Sequence, residues 1–163
     1  MATVRTAEAH WEGSLFEGQG EVELVSSGLG HFDVTWATRA EEPNHHTSPE
    51  ELIAAAHSTC FNMALSNVLA QGDTPPTSLD TRADVTFDPP NITGIKLTVT
   101  GVVPGITAEQ FEAAAEDARR EDVDRCRRNA GQPRLGRIGA RSRSASRPTA
   151  TRWHDCSPAA ATR

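Results

Sequence analysis

The chain has 163 residues, 37% hydrophobic and 23% charged, enough for one domain whose core needs neither metals nor disulfides. Its net charge of −6 conceals two opposed segments: residues 1–118 hold four basic against 18 acidic side chains, net −14, and residues 119–163 hold twelve arginines against four acids, net +8. Three irregularly spaced cysteines, Cys60, Cys126 and Cys156, argue against a secreted disulfide framework; with no secretory leader and no apolar run near the about 18 residues that span a bilayer, a soluble cytoplasmic thiol protein without membrane partner, metal or cofactor is expected.

In chain order, residues 4–40 read as a three-strand meander. "QGEVELVSS" alternates with Val22 and Leu24 on one side, and "HFDVTWATR" places Phe32, Val34 and Trp36 on one face, with Arg39 at the strand end. The next element is expected to cover that sheet. Ser48 suits an N-cap, Pro49 the first helical position, and Glu51 completes a capping box before a helix running to about Leu69. Leu52, Ala56, Cys60, Met63 and Asn67 trace one stripe of it, broadened by Ile53, Leu65, Val68 and Leu69. "QGDTPPT" ends the helix, because prolines cannot continue it. Two further strands follow, with Ala83, Val85 and Phe87 on one face and Ile95, Leu97 and Val99 on the other's matching face. A second helix begins after Thr107 and turns Phe111, Ala114, Ala115 and Ala118 inward, continuing a turn or two past Arg120. Strands, long helix, strands and helix make an α+β fold with segregated layers. The domain is expected over residues 1–120, extending to about 128. Residues 121–163 form an aberrant Arg/Ser-rich segment, expected to be disordered from about 129, since they offer almost no large apolar side chain to offset chain entropy.

Cys60 is the one cysteine inside a strongly patterned element. A lone cysteine there is most often a small hydrophobe; a reactive thiolate needs a cation to bring the thiol below its ordinary value of about 8.5. The helix N-terminus is nearly three turns away, so a basic side chain must supply the field. Arg39 is one of three arginines before the tail, with Glu50 the carboxylate that could hold its fork; the bland reading is a solvated surface pair. If the helix is continuous, Glu50 and Cys60 lie about 15 Å apart along its axis. Either Arg39 bridges part of that gap, or the helix breaks, or a second subunit contributes. His57, three residues before Cys60, reads as an interface histidine more than as a general base, and His45 with His46 lacks a third metal ligand at convincing spacing.

The segments "AHWEGSLFEGQGEV", "TRAEE", "TSPEELIAAAHSTCFNMAL", "TPPTSLDTRADVTF" and "ITGIKLTVTGVVPGI" resemble the OsmC/Ohr family of bacterial thiol peroxidases, most closely its osmotically inducible OsmC branch, over about residues 5–120. The resemblance implies an intertwined homodimer with active sites near the interface. It makes Cys60 the peroxidatic cysteine, Arg39 the arginine and Glu50 the glutamate of its catalytic set. It also implies reduction of organic hydroperoxides, and of hydrogen peroxide less well, followed by an intramolecular disulfide that an external dithiol reduces.

The family's resolving Cys-Pro-Val-Ser motif and the apolar strand after it are absent: after "EDAR" the chain reads "REDVDRCRRNAG". Loss of likeness where the composition becomes arginine-rich reads as translation in a shifted frame, with a divergent tail as the alternative. In a continued helix, Cys126 stands about 6 Å beyond the family position along the axis, which is unfavourable for a bond that needs Cα atoms within about 7 Å. It is a doubtful resolving cysteine, and inefficient resolution is expected. Loss of the last strand is expected to leave an unpaired edge and a marginally stable domain. The rival readings are a catalytically inactive dimer that binds a hydrophobic ligand, and a nucleic-acid-binding protein acting through its arginines, which the acidic body and the shortage of aromatic residues in the tail disfavour.

Overall fold

Alternation in the first three strands sorts their side chains into two unlike faces. The computed structural model describes residues 2–43 and 45–130, with side chains described up to residue 120. Strands β1 (Glu8–Glu12), β2 (Gln19–Glu23) and β3 (His31–Thr35) form an antiparallel sheet in the order β1-β2-β3. The register pairs Ala9 with Val22, Trp11 with Gly20 and Val22 with Phe32, giving an apolar face; His10 with Glu21 and Glu21 with Asp33 lie on the polar one. Gly20 is required here, because a Cβ would come within 2.6 Å of the Trp11 ring.

The meander has the expected order, but its third strand is shorter than the alternation suggests. It stops at Thr35, and Trp36–Ala40 turns into a short helix, α1. A reciprocal cap makes the turn: the Thr38 amide donates to Thr35 Oγ1 at 3.2 Å, and the Thr35 amide donates to Thr38 Oγ1 at 3.1 Å. Local threonine hydrogen bonding overrides the β-pattern, so Trp36 and Arg39 belong to a helix and not to the strand.

Helix α2 is a continuous element over Pro49–Gln71. Ser48 caps it by accepting from the Glu51 amide at 3.2 Å, with Pro49 in the first turn. The Glu51 carboxylate takes the Thr47 hydroxyl at 2.8 Å, a substitute for the reverse half of the expected box. By length and composition alone α2 could cross a bilayer, contrary to the reading of no such run; here one of its faces is the core of the domain.

Strands β4 (Ser78–Asp88) and β5 (Asn91–Val102) form a separate antiparallel hairpin, pairing Ala83 with Leu97 and Val85 with Ile95. Helix α3, Ala108–Ala130, starts from a cap in which Gln110 N donates to Thr107 Oγ1 at 3.3 Å and Thr107 N donates to Gln110 Oε1 at 2.8 Å. It runs ten residues beyond Arg120, further than expected. On its exposed face Arg119 donates to Glu116 from Nε and Nη2 at 2.7 and 2.6 Å, and this bonding holds the Glu116 carboxyl down at about 2. Residues 131–163, including Cys156 and most of the segment expected to be disordered, lie outside the described residues.

The core is Phe61, Ala64, Leu65, Leu69 and Ala118, with Leu79, Leu97, Val99 and Phe111 packed around it. Helix α2 therefore packs on β4 and α3, not on the N-terminal sheet that it was expected to cover. Leu65 and Leu69 are buried as expected, but the rest of the α2 stripe differs: Ala56, Met63 and Asn67 are exposed, and Phe61 and Ala64 are buried instead. The cause is a helix apolar on more than one side, which periodicity alone does not orient. Its second face, and Trp11 and Phe32 on the N-terminal sheet, are exposed.

Candidate active site

The corner made by α1, the start of α2 and the end of β4 gathers an arginine, a carboxylate and two aromatic rings. The threonine cap fixes α1 so that Arg39, in its last turn, meets the first turn of α2. Arg39 donates from Nε to Glu50 Oε1 at 2.8 Å. The Glu50 side chain is 9% exposed and that of Arg39 31%. Glu50 Oε2 is buried and has no hydrogen-bond partner among the described residues.

The aromatic rings complete the corner. The Arg39 guanidinium carbon stands 4.0 Å from the Phe87 ring centroid and 6.0 Å from that of Trp36. Trp36 meets Phe87 edge-on at 6.1 Å and Phe16 edge-on at 5.5 Å. A guanidinium against a ring face gains from the ring's negative quadrupole, and a carboxylate at its edge from charge-assisted hydrogen bonding. The alternation in the sequence reads both rings as strand-face residues, Trp36 with Phe32 and Val34 and Phe87 with Ala83 and Val85, and assigns neither to the site. Trp36 stands at i−3 from Arg39, a same-face spacing on a helix, but the segment read as a strand.

Cys60 lies in the middle of α2 and is half-buried. Because α2 is unbroken, the option of a helix break is removed, and Cys60 is about 15 Å from Glu50 along the axis. The structure thus brings Arg39 and Glu50 together at one end of α2 and sets Cys60 nearly three turns further on. His57 is half-buried on the same helix. Residue 126 falls in the helical part of α3, and the Cys126 side chain lies outside the described residues.

His45 and His46 are exposed, and His45 has a left-handed backbone, φ 64°. His46 lines a cavity of about 520 Å³ with His10, Glu12, Glu21 and Asp33. Two pairs occupy the polar face of this sheet, His31 Nε2 to Glu21 Oε2 at 2.8 Å and His10 Nε2 to Glu12 Oε1 at 3.2 Å. Among the described residues no group of three His, Cys, Asp or Glu side chains is placed to hold a metal.

Comparison with known proteins decides the family. Residues 42–121 match the family described as OsmC-like protein. Over 123 residues the chain is 41% identical to Peroxiredoxin OsmC of Escherichia coli strain K12, covering 73% of this chain and 85% of that protein. The chain belongs to the OsmC family. The fold is that of solved members: an organic hydroperoxide resistance protein from Elizabethkingia anophelis aligns at TM-score 0.51 and 24% identity, covering 72% of this chain and 84% of that one. An OsmC-like protein of unknown function from Vibrio cholerae aligns at TM-score 0.54 and 16% identity, covering 74% and 90%. The α+β class read from the sequence is that of these structures.

Removing one member of a buried ion pair strands the other charge. Arg39→Met should lower stability by about 2 kcal/mol, less than a fully buried pair because Arg39 is partly exposed. Arg39→Met with Glu50→Leu should recover most of that loss. Urea denaturation of both variants checks it: equal losses would mean that the pair is not coupled.

Proposed function

We propose that the chain is a cysteine-based peroxidase for organic hydroperoxides, with Cys60 as nucleophile, Arg39 as the cation that stabilises its thiolate and Glu50 as the group that holds Arg39. The observation that carries this reading is the arginine fixed at its edge by a buried carboxylate and against its face by an aromatic ring. Its E. coli relative is named a peroxiredoxin, which supports a peroxide-reducing role. Organic hydroperoxides suit the site better than hydrogen peroxide, because the rings of Phe87 and Trp36 beside the guanidinium, with Phe16 against Trp36, can cover an alkyl or aryl group.

In this reading the Cys60 thiolate attacks the outer peroxide oxygen. The S–O bond forms as the O–O bond breaks, and the alkoxide leaves and takes a proton to become the alcohol. The sulfur is oxidised to sulfenic acid and the peroxide is reduced by two electrons. The guanidinium stabilises both the thiolate and the charge that moves onto oxygen. An external dithiol then attacks the sulfenic sulfur, releasing water and forming a mixed disulfide; its second thiol displaces the Cys60 thiolate and leaves the reductant oxidised.

The working unit is proposed to be a homodimer in which the Arg39–Glu50 pair of one copy serves Cys60 of the other. The axial separation of Glu50 and Cys60 on an unbroken helix supports this, as do the open apolar faces: Met63 is 64% exposed on α2 and Trp11 40% exposed on the N-terminal sheet. A reactive thiol needs a reducing compartment, for which the cytoplasm is proposed. Resolution is proposed to be slow, since the family's Cys-Pro-Val-Ser motif is absent and α3 continues through the region where it would stand. Sulfenic acid should therefore accumulate or over-oxidise under excess peroxide.

Rapid-quench kinetics with cumene hydroperoxide should give a burst of one alcohol per Cys60, then a slow phase whose rate rises with added dithiol. No burst would reject the peroxidase reading, and fast turnover with a Cys60–Cys126 disulfide would reject slow resolution. Cys60→Ser and Arg39→Met subunits, each inactive alone, should regain about half of the wild-type burst per mixed dimer, since random pairing leaves one intact site. Absence of any recovery in verified mixed dimers would place the arginine and the thiol of each site in the same chain.

A further inference from the structure

Arg39 stands on a helix of five residues, and its side chain ends in a group with many rotamers. The hydrogen bond from Arg39 Nε to Glu50 Oε1 fixes one edge of the guanidinium. The second restraint comes from a different element. Phe87, next to last in β4, sits where the β4–β5 register shifts, between Thr86 and Phe87, so that Phe87 faces Ile92. A bulge re-aims the side chain beside it, and here the ring lies under the guanidinium carbon at 4.0 Å. The ring is in turn buttressed edge-on by Trp36, which packs against Phe16.

We propose that Phe87 is a positioning residue for the peroxidase reaction: its ring face, acting with Glu50, holds the Arg39 guanidinium in the orientation that serves the reacting thiolate. The inference rests on the proposed peroxidase reading and goes beyond it by adding a residue from β4 to a set otherwise drawn from α1 and α2. The attraction is electrostatic, between a cation and the negative face of the ring, and not simple coverage. Glu50 and Phe87 act on different parts of one planar group, edge and face, so losing either restores a separate degree of freedom. Leucine at position 87 would keep apolar cover and lose the attraction.

The test uses the full-length protein with Phe87 replaced by 4-fluoro-, 3,5-difluoro- and 3,4,5-trifluorophenylalanine, which keep the ring's shape while draining its negative face. Stopped-flow measurement of single-turnover Cys60 oxidation by cumene hydroperoxide reads the outcome. The rate should fall stepwise along the series, by about fivefold at trifluorophenylalanine, with the melting temperature unchanged. In an Arg39→Gln background the same series should be flat. A rate constant across the series while Arg39→Gln alone still slows oxidation would overturn the role of Phe87 and leave the peroxidase reading standing. No effect of Arg39→Gln would overturn the role of Arg39, and that of Phe87 with it.

Discussion

The Arg39–Glu50 ion pair is the constraint on which the arrangement of this corner depends. A carboxylate at 7% exposure is costly unless a cation meets it, and Arg39 reaches it only because β3 gives way to α1 at Thr35. Glu50 is in place because Ser48 and Pro49 start α2 where they do. Three local signals, the threonine cap, the serine cap and the β4–β5 register shift, thus converge on one guanidinium.

Helix α2 explains why one copy of the chain looks incomplete. One face makes the core with β4, β5 and α3 through Phe61, Leu65 and Leu69. The other carries Ala55, Ala56, Thr59 and Met63 to the surface, and the N-terminal sheet leaves Trp11 and Phe32 exposed. Apolar area open on two separate elements is what a second copy would bury, and it would also bring a distant thiol to a fixed arginine. Packing and catalysis would then draw on the same assembly.

Much of this was legible in the sequence where a local rule had no competitor. Ser48–Pro49 and Thr107 marked helix starts, alternation marked β2, β4 and β5, and the order of elements gave the α+β class. Arg39 stood out because basic residues are so scarce in the body, whereas Glu50 was one of several nearby acids and was set apart by the family resemblance. Reading failed where two rules competed. At Trp36 the alternation of the preceding strand masked a threonine cap, and in α2 apolar residues on several sides left the buried stripe undetermined until β4 and α3 were in place. Phe87 could not be found because a ring over a guanidinium leaves no trace in spacing: the two residues are far apart in sequence and on different elements.

Peroxidase chemistry at Cys60 requires that the fixed guanidinium act on its sulfur. The direct measurement is the pH dependence of Cys60 alkylation by iodoacetamide, followed by mass spectrometry of the Cys60 peptide, in the wild-type protein and in Arg39→Gln. The account predicts a thiol that ionises clearly below the ordinary value of about 8.5 in the wild type and returns towards it in the variant. The same ordinary midpoint in both proteins would contradict it.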